Sequence, residues 1–84
     1  MPTDYKLSIG EEVLAELVAS RPAVQRRMVA RLETLKQNPF REGDYFERDG
    51  DGLLNHVLLI DDVIVTYHTD HAVKEIRVAR VEWV

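Results

Sequence analysis

The stretch that most limits what this chain can become is Leu53–Thr69, LLNHVLLIDDVIVTYHT. It contains two runs rich in β-branched and aliphatic residues, without Pro or Gly, broken once by Asp61-Asp62. Such runs suit a pleated, buried surface, and the break predicts a two-residue turn between two central antiparallel strands. If Asp61 and Asp62 are the turn, Ile60 faces Val63, Leu59 faces Ile64, Leu58 faces Val65, Val57 faces Thr66 and His56 faces Tyr67. The side-chain period of two then sorts the hairpin into two faces. One carries Leu54, His56, Leu58, Ile60, Val63, Val65, Tyr67 and Thr69. The other carries Leu53, Asn55, Val57, Leu59, Ile64, Thr66 and His68. Both are apolar at their centres, so helices are expected on the first face and some other cover on the second.

The rest of the chain supplies those helices. Asp4–Ile9 alternates weakly and predicts a first strand, and Ser8 with Glu11 has the spacing of a capping box. A helix from Gly10 to about Ser20 groups Val13, Leu14, Leu17 and Val18 on one side. Pro22 suits the first turn of a second helix, with Ser20 or Arg21 at the boundary. That helix is expected to run to about Gln37, with Val24, Met28, Leu32 and Leu35 as its core stripe. Asn38-Pro39 ends it, because the residue before proline avoids the helical region. Asp44–Arg48 is the second expected strand, Asp49–Gly52 a turn, and Val73–Val84 the last strand, in which a bulge near Ala79-Arg80 would return Val81 and Trp83 to the side of Ile76 and Val78. The resulting order is β-α-α-β-β-β-β in one domain spanning residues 1–84.

Charge narrows the function. The chain carries a net charge of -4, which argues against general polyanion binding, but the charge is segregated. Residues 21–41 hold six bases and one acid, whereas 42–62 hold seven acids and one base. Arg27 and Arg31, four apart on the second helix, form either a solvated face or a docking stripe for nucleic acid or an acidic partner. The chain has no cysteine, which excludes disulfides and Cys-based zinc sites. A calcium loop aligned on Gly52 would need Glu where Leu58 stands, so neither metal nor cofactor is expected. The apolar runs are too short to span a bilayer, and MPTDYKLS lacks the layout of a secretory leader, so a cytoplasmic location is expected.

Three features together resemble the RelE/ParE toxins of bacterial toxin–antitoxin modules. They are Leu35-Lys36-Gln37-Asn38-Pro39 closing the second helix, Ile60-Asp61-Asp62-Val63-Ile64-Val65-Thr66-Tyr67 around the central turn, and the final strand from Ile76 to Val81. The resemblance covers essentially the whole chain. It implies an α+β fold in which an N-terminal strand and a helical hairpin pack on an antiparallel sheet of four to five strands. It also implies a cognate antitoxin, and either RelE-like cleavage of mRNA on the ribosome or ParE-like poisoning of gyrase; a third outcome is a catalytically inactive module that only binds. In the family pattern R-I-R-V-G-D-Y-R-V-I-Y, the basic positions fall here on Val57, Leu59 and Ile64, all on the second hairpin face. The late His-Arg and Tyr of many members are replaced by Glu82-Trp83-Val84. If RNA is cleaved, the chemistry needs a base titrating near neutrality and a cation at the phosphate. His56, His68 or His71 could supply the first and Arg77 or Arg80 the second, with His56, His68 and Arg80 the chosen candidates. His56 reads also as a core histidine and His71 as a solvated one. The apolar trio predicts a covered face, occupied by an antitoxin segment or by a second copy in a homodimer.

Overall fold

The computed structural model describes residues 4–84, so the reading of Met1–Thr3 as no part of a leader lies outside it. The elements follow in the order β1 (Lys6–Ile9), α1 (Glu11–Ala19), α2 (Pro22–Gln37), β2 (Tyr45–Arg48), β3 (Leu54–Ile60), β4 (Val63–Asp70) and β5 (Glu75–Trp83). They build one five-stranded sheet in the order β1-β5-β4-β3-β2. The central hairpin has the register that its alternation predicts, with His56 opposite Tyr67, Leu58 opposite Val65 and Ile60 opposite Val63. Asp61 takes a φ of 54°, in the left-handed region that a two-residue hairpin turn requires and that Asp tolerates better than most residues.

One departure concerns β1. It pairs with β5 in parallel, Leu7 opposite Ile76, so the sheet is mixed rather than wholly antiparallel. The helical hairpin carries the chain from one edge of the sheet to the other, and the β2–β5 meander then walks back until β5 meets β1 running the same way.

The core lies between the helices and one face of the sheet. Val13 from α1 and Met28, Leu32 and Leu35 from α2 close over Leu58, Ile60, Val63, Val65, Tyr67, Ile76, Val78 and Val81. Leu17 is only partly buried against this cluster. Leu14 and Val18 depart from the expected stripe: they are 49% and 72% exposed. With nine residues, α1 turns only a narrow strip toward the sheet, and Val13 and Leu17 use it up. The expected capping box is also absent. Gly10 is the N-cap, without a side-chain cap bond, because Ser8 is still in β1 opposite Arg77. Gly10 sits there for a steric reason: its N–H bonds to the Val78 carbonyl at 2.9 Å, and a Cβ would lie 3.1 Å from that oxygen.

Between β4 and β5 the register shifts, Thr66 facing Arg80 while Tyr67 faces Val78. Ala79 is the extra residue, and the shift returns Val81 to the core and leaves Trp83 opposite the buried Val63. The bulge therefore does what the split parity of β5 predicts.

Candidate functional site

The face of the sheet away from the core arranges its side chains in rows set by the strand register. Asn55, His68 and Arg77 form one row, with Glu47 of β2 and Ser8 of β1 at its ends. Tyr45, Val57, Thr66 and Arg80 form the next, and Leu59, Ile64 and Glu82 the third. The bulge at Ala79 brings Arg77 and Arg80 onto this same face although three positions separate them, since one extra residue restores the parity.

Two adjoining hollows lie over these rows. One, of about 360 Å³, is bounded by Glu12, Asp49, Asn55, Thr66 and Arg80. The other, of about 280 Å³, is bounded by Ser8, Leu53, His68, Arg77 and Ala79. Asn55 and Thr66 lie buried at the floor. The start of α1 forms one wall and the β2–β3 turn the other. In that turn Asp49 accepts the backbone N–H groups of Asp51 and Leu53 at 2.9 and 3.0 Å and faces the Asn55 amide at 3.5 Å. The carboxylate that invites a calcium reading is thus engaged in shaping the turn.

The cations of this face are already neutralised. Arg80 reaches Glu47 at 2.9 Å and Glu82 at 3.1 Å. Arg77 reaches Glu75 at 2.6 Å and Asp70 at 3.6 Å. The hydrogen bond and charge of Glu75 raise the Arg77 guanidinium above its ordinary value. Phosphate binding here must displace carboxylates, which costs most of the attraction that a free guanidinium offers. These pairs were legible in part: Glu75-x-Arg77 and Arg80-x-Glu82 have the two-residue spacing that puts both partners on one face of a strand.

The three catalytic candidates do not converge. His68 and Arg80 share the open face in neighbouring rows, but His56 points to the core side. There its ring stacks on Tyr67, with centroids 5.1 Å apart and planes 15° apart, and Phe46 lies 4.8 Å away. Its Nδ1 accepts the Gly43 N–H at 3.0 Å, so the ring proton of the neutral form sits on Nε2. Burial lowers the His56 pKa below its usual value, with Glu42 opposing and the other two histidines adding to the drop. A neutral ring used as an acceptor positions a loop; Gly43 itself has no room for a Cβ, which would come within 2.7 Å of the Val57 carbonyl. His71 is likewise engaged, its Nδ1 2.7 Å from the Tyr5 hydroxyl and its ring stacked against Phe40 at 4.6 Å.

Arg27 and Arg31 turn out to be neither bare surface nor a free stripe. Arg27 bonds to Asp62 and lies over the Trp83 ring at 5.2 Å. The Arg31 Nε is 3.3 Å from both Asp61 and Asp62. The two guanidiniums hold the tip of the central hairpin to α2. At Asp62 desolvation pushes the carboxyl pKa upward, but its own backbone N–H, the Arg31 bond and the charges of Arg27 and Arg31 outweigh that and hold it below its ordinary value. No spacing rule joins residues 31 and 62, so only the opposed charge blocks hinted at the contact.

The apolar trio divides. Val57 is 2% exposed and lies outside the helix-side cluster, so the part able to meet a partner shrinks to Leu59, 50% exposed, and the half-buried Ile64.

No protein-family model and no curated protein matches the sequence. The structure, however, is similar to a chain in the crystal structure of the archaeal RelE–RelB complex from Pyrococcus horikoshii OT3, with a TM-score of 0.67. The fold is RelE-like. The match covers 99% of this chain and 96% of the other at 19% sequence identity, so the RelE-like fold is complete here while most of its side chains differ. Among the described residues no helix is long and apolar enough to cross a membrane.

Proposed function

We propose that this chain is the toxin component of a type II toxin–antitoxin pair, bound and neutralised by a cognate antitoxin. The observation that carries this reading is the end-to-end similarity to a chain of a RelE–RelB complex. Leu59 and Ile64 support it, because they leave an apolar spot in the third row of the open face. The antitoxin segment lies across that row and continues along the hollow toward Asn55.

The activity is the finer part. RelE-like, ribosome-dependent mRNA cleavage would run through the hollow, with His68 moving the proton and Arg80 meeting the phosphate after release from Glu47. The placement of His68 and Asn55 in the row next to Arg80, all on the open face, favours that assignment over one through His56. A second reading, action by binding alone as in ParE-like gyrase poisoning or an inactive interaction module, is favoured by the carboxylates on both arginines and by the net charge of -4. An acidic protein gains little from phosphate contacts.

Induced expression in a bacterium, read by translation rate, mRNA end-mapping and DNA damage, tests both. Cleavage of ribosome-bound mRNA that His68→Ala with Arg80→Ala abolishes supports the enzyme; growth arrest with intact mRNA supports binding. Unimpaired growth together with no complex formed by the product of an adjacent reading frame rejects the toxin reading altogether.

A further inference from the structure

The outer face of α2 carries a pattern that the fold does not use. Met28, Leu32 and Leu35 face the core, and Pro22, Arg26, Val29, Ala30, Glu33 and Gln37 are all exposed on the far side. At ~100° per residue these six fall within an arc of about 100°. Their spacing is symmetric about the Val29–Ala30 midpoint: the oppositely charged Arg26 and Glu33 are equally far from it on either side, and so are Pro22 and Gln37. Arg26 makes no hydrogen bond or ion pair among the described residues. Among the described residues Glu33 meets only its neighbour Lys36, at 3.5 Å. Val29 is 41% exposed.

A face with that symmetry is complementary to itself. Two copies of α2 laid antiparallel about a two-fold axis at the midpoint put each Arg26 opposite Glu33 of the second copy, twice. They put Val29 against Ala30 of the second copy, where the methyl group allows close approach of the helices. A parallel arrangement would instead set Arg26 on Arg26 and Glu33 on Glu33, so the charges select one orientation. The apolar centre widens into α1. Gln25 bonds to the Val18 and Ser20 carbonyls, so Val18 lies beside the first turns of α2, and Leu14 and Val18 are the exposed apolar residues of that helix. An unrelated partner would have no need of such symmetry.

We propose that the outer face of α2 is a homodimer contact, packed antiparallel on the same face of a second copy. The contact does not depend on the toxin reading and lies on the opposite side of the sheet from Leu59.

Sedimentation equilibrium of the purified chain, with circular dichroism to verify folding, tests it. The wild type sediments as a dimer. Arg26→Glu or Glu33→Arg alone sets like charges opposite each other twice and weakens the dimer about tenfold or more. The double reversal restores the opposite-charge pairs and recovers most of the loss, a result that neither misfolding nor a general charge effect produces. Val29→Lys, at a position already exposed, leaves the fold intact and yields monomer. A monomeric wild type, single reversals without effect, or a folded double variant as weak as the singles each overturns the proposal.

Discussion

The two faces of the central hairpin both begin with apolar centres and end with different structures. On the core side Leu58, Ile60, Val63 and Val65 meet two helices and vanish from solvent. On the open side Val57 and Thr66 are also buried, yet they lie outside the helix-side cluster. They lie in the row of Arg80, whose guanidinium is held across the sheet by Glu47 and Glu82, and the long stems of such charged side chains cover apolar surface while keeping their heads in water. One side is thus closed by shape-matched hydrocarbon, while the other carries ion-paired arginines in the same row as its buried residues. The first is costly to disturb. The second contributes little to stability, since each exposed pair is worth about 0–1 kcal/mol, although a ligand must still displace the carboxylates to use its arginines.

The largest expected effect contrasts the faces directly. Leu32→Ala removes a fully buried side chain and should cost ~2–5 kcal/mol of stability, whereas Leu59→Ala, half exposed on the other face, should cost less than about 1 kcal/mol. Urea denaturation of both variants checks this, and equal losses would mean that the open face is a second core.

Leu59→Arg sharpens the same contrast at the level of association. It restores a basic side chain where the family pattern has one, but sets a charge in the middle of the proposed antitoxin contact. The fold should survive, because solvent is available at this position, and antitoxin binding should weaken tenfold to hundredfold, about 1.4–2.8 kcal/mol. Calorimetry with the co-purified antitoxin reads it; unchanged affinity moves the contact elsewhere.

A third experiment turns on His56. Its pKa is lowered by burial, so the unfolded chain takes up a proton before the folded one does. The stabilisation is complete above the unfolded value near 6.5 and is lost as the pH falls through the lower folded value. Protonation also turns Nδ1 from the acceptor of the Gly43 N–H into a donor facing it. Stability should therefore fall between pH 7 and 5, and His56→Gln should flatten that slope.

These contrasts also show what a sequence can disclose. Hairpin register, the bulge at Ala79 and the Met28, Leu32 and Leu35 part of the α2 stripe were legible because each follows from a local period, whereas Val24 at the start of that stripe lies outside the core cluster. The parallel placement of β1 was not, since nothing within four residues says which way a neighbouring strand will run. Leu14 and Val18 were misplaced for a related reason: periodicity gives an apolar arc, and only the packing distance decides how much of it is covered. At the site, the alternation placed His68 on the open face and His56 on the other. What it could not supply was the state of the arginines, because the carboxylates that hold Arg80 come from β2 and β5 at once.

The smallest expected effect concerns the clip between α2 and the hairpin tip, where the two kinds of burial meet. Arg27 and Arg31 hold Asp62, the Arg27 guanidinium lies over the Trp83 ring, and all of these groups are partly in water. Asp62→Asn keeps the turn geometry while removing the charge, so the loss should be small at low salt and nearly nothing at 1 M, where the Debye length is ~3 Å. The sign with pH is fixed as well. The Asp62 carboxyl is held below its ordinary value, so its contribution is present above the ordinary value and disappears as the pH falls through the folded one. Thermal denaturation of wild type and Asp62→Asn at two salt concentrations separates the outcomes. A difference that persists at high salt would show that the clip is a desolvated, structural part of the core side; a difference that salt erases assigns it to the ion-paired side.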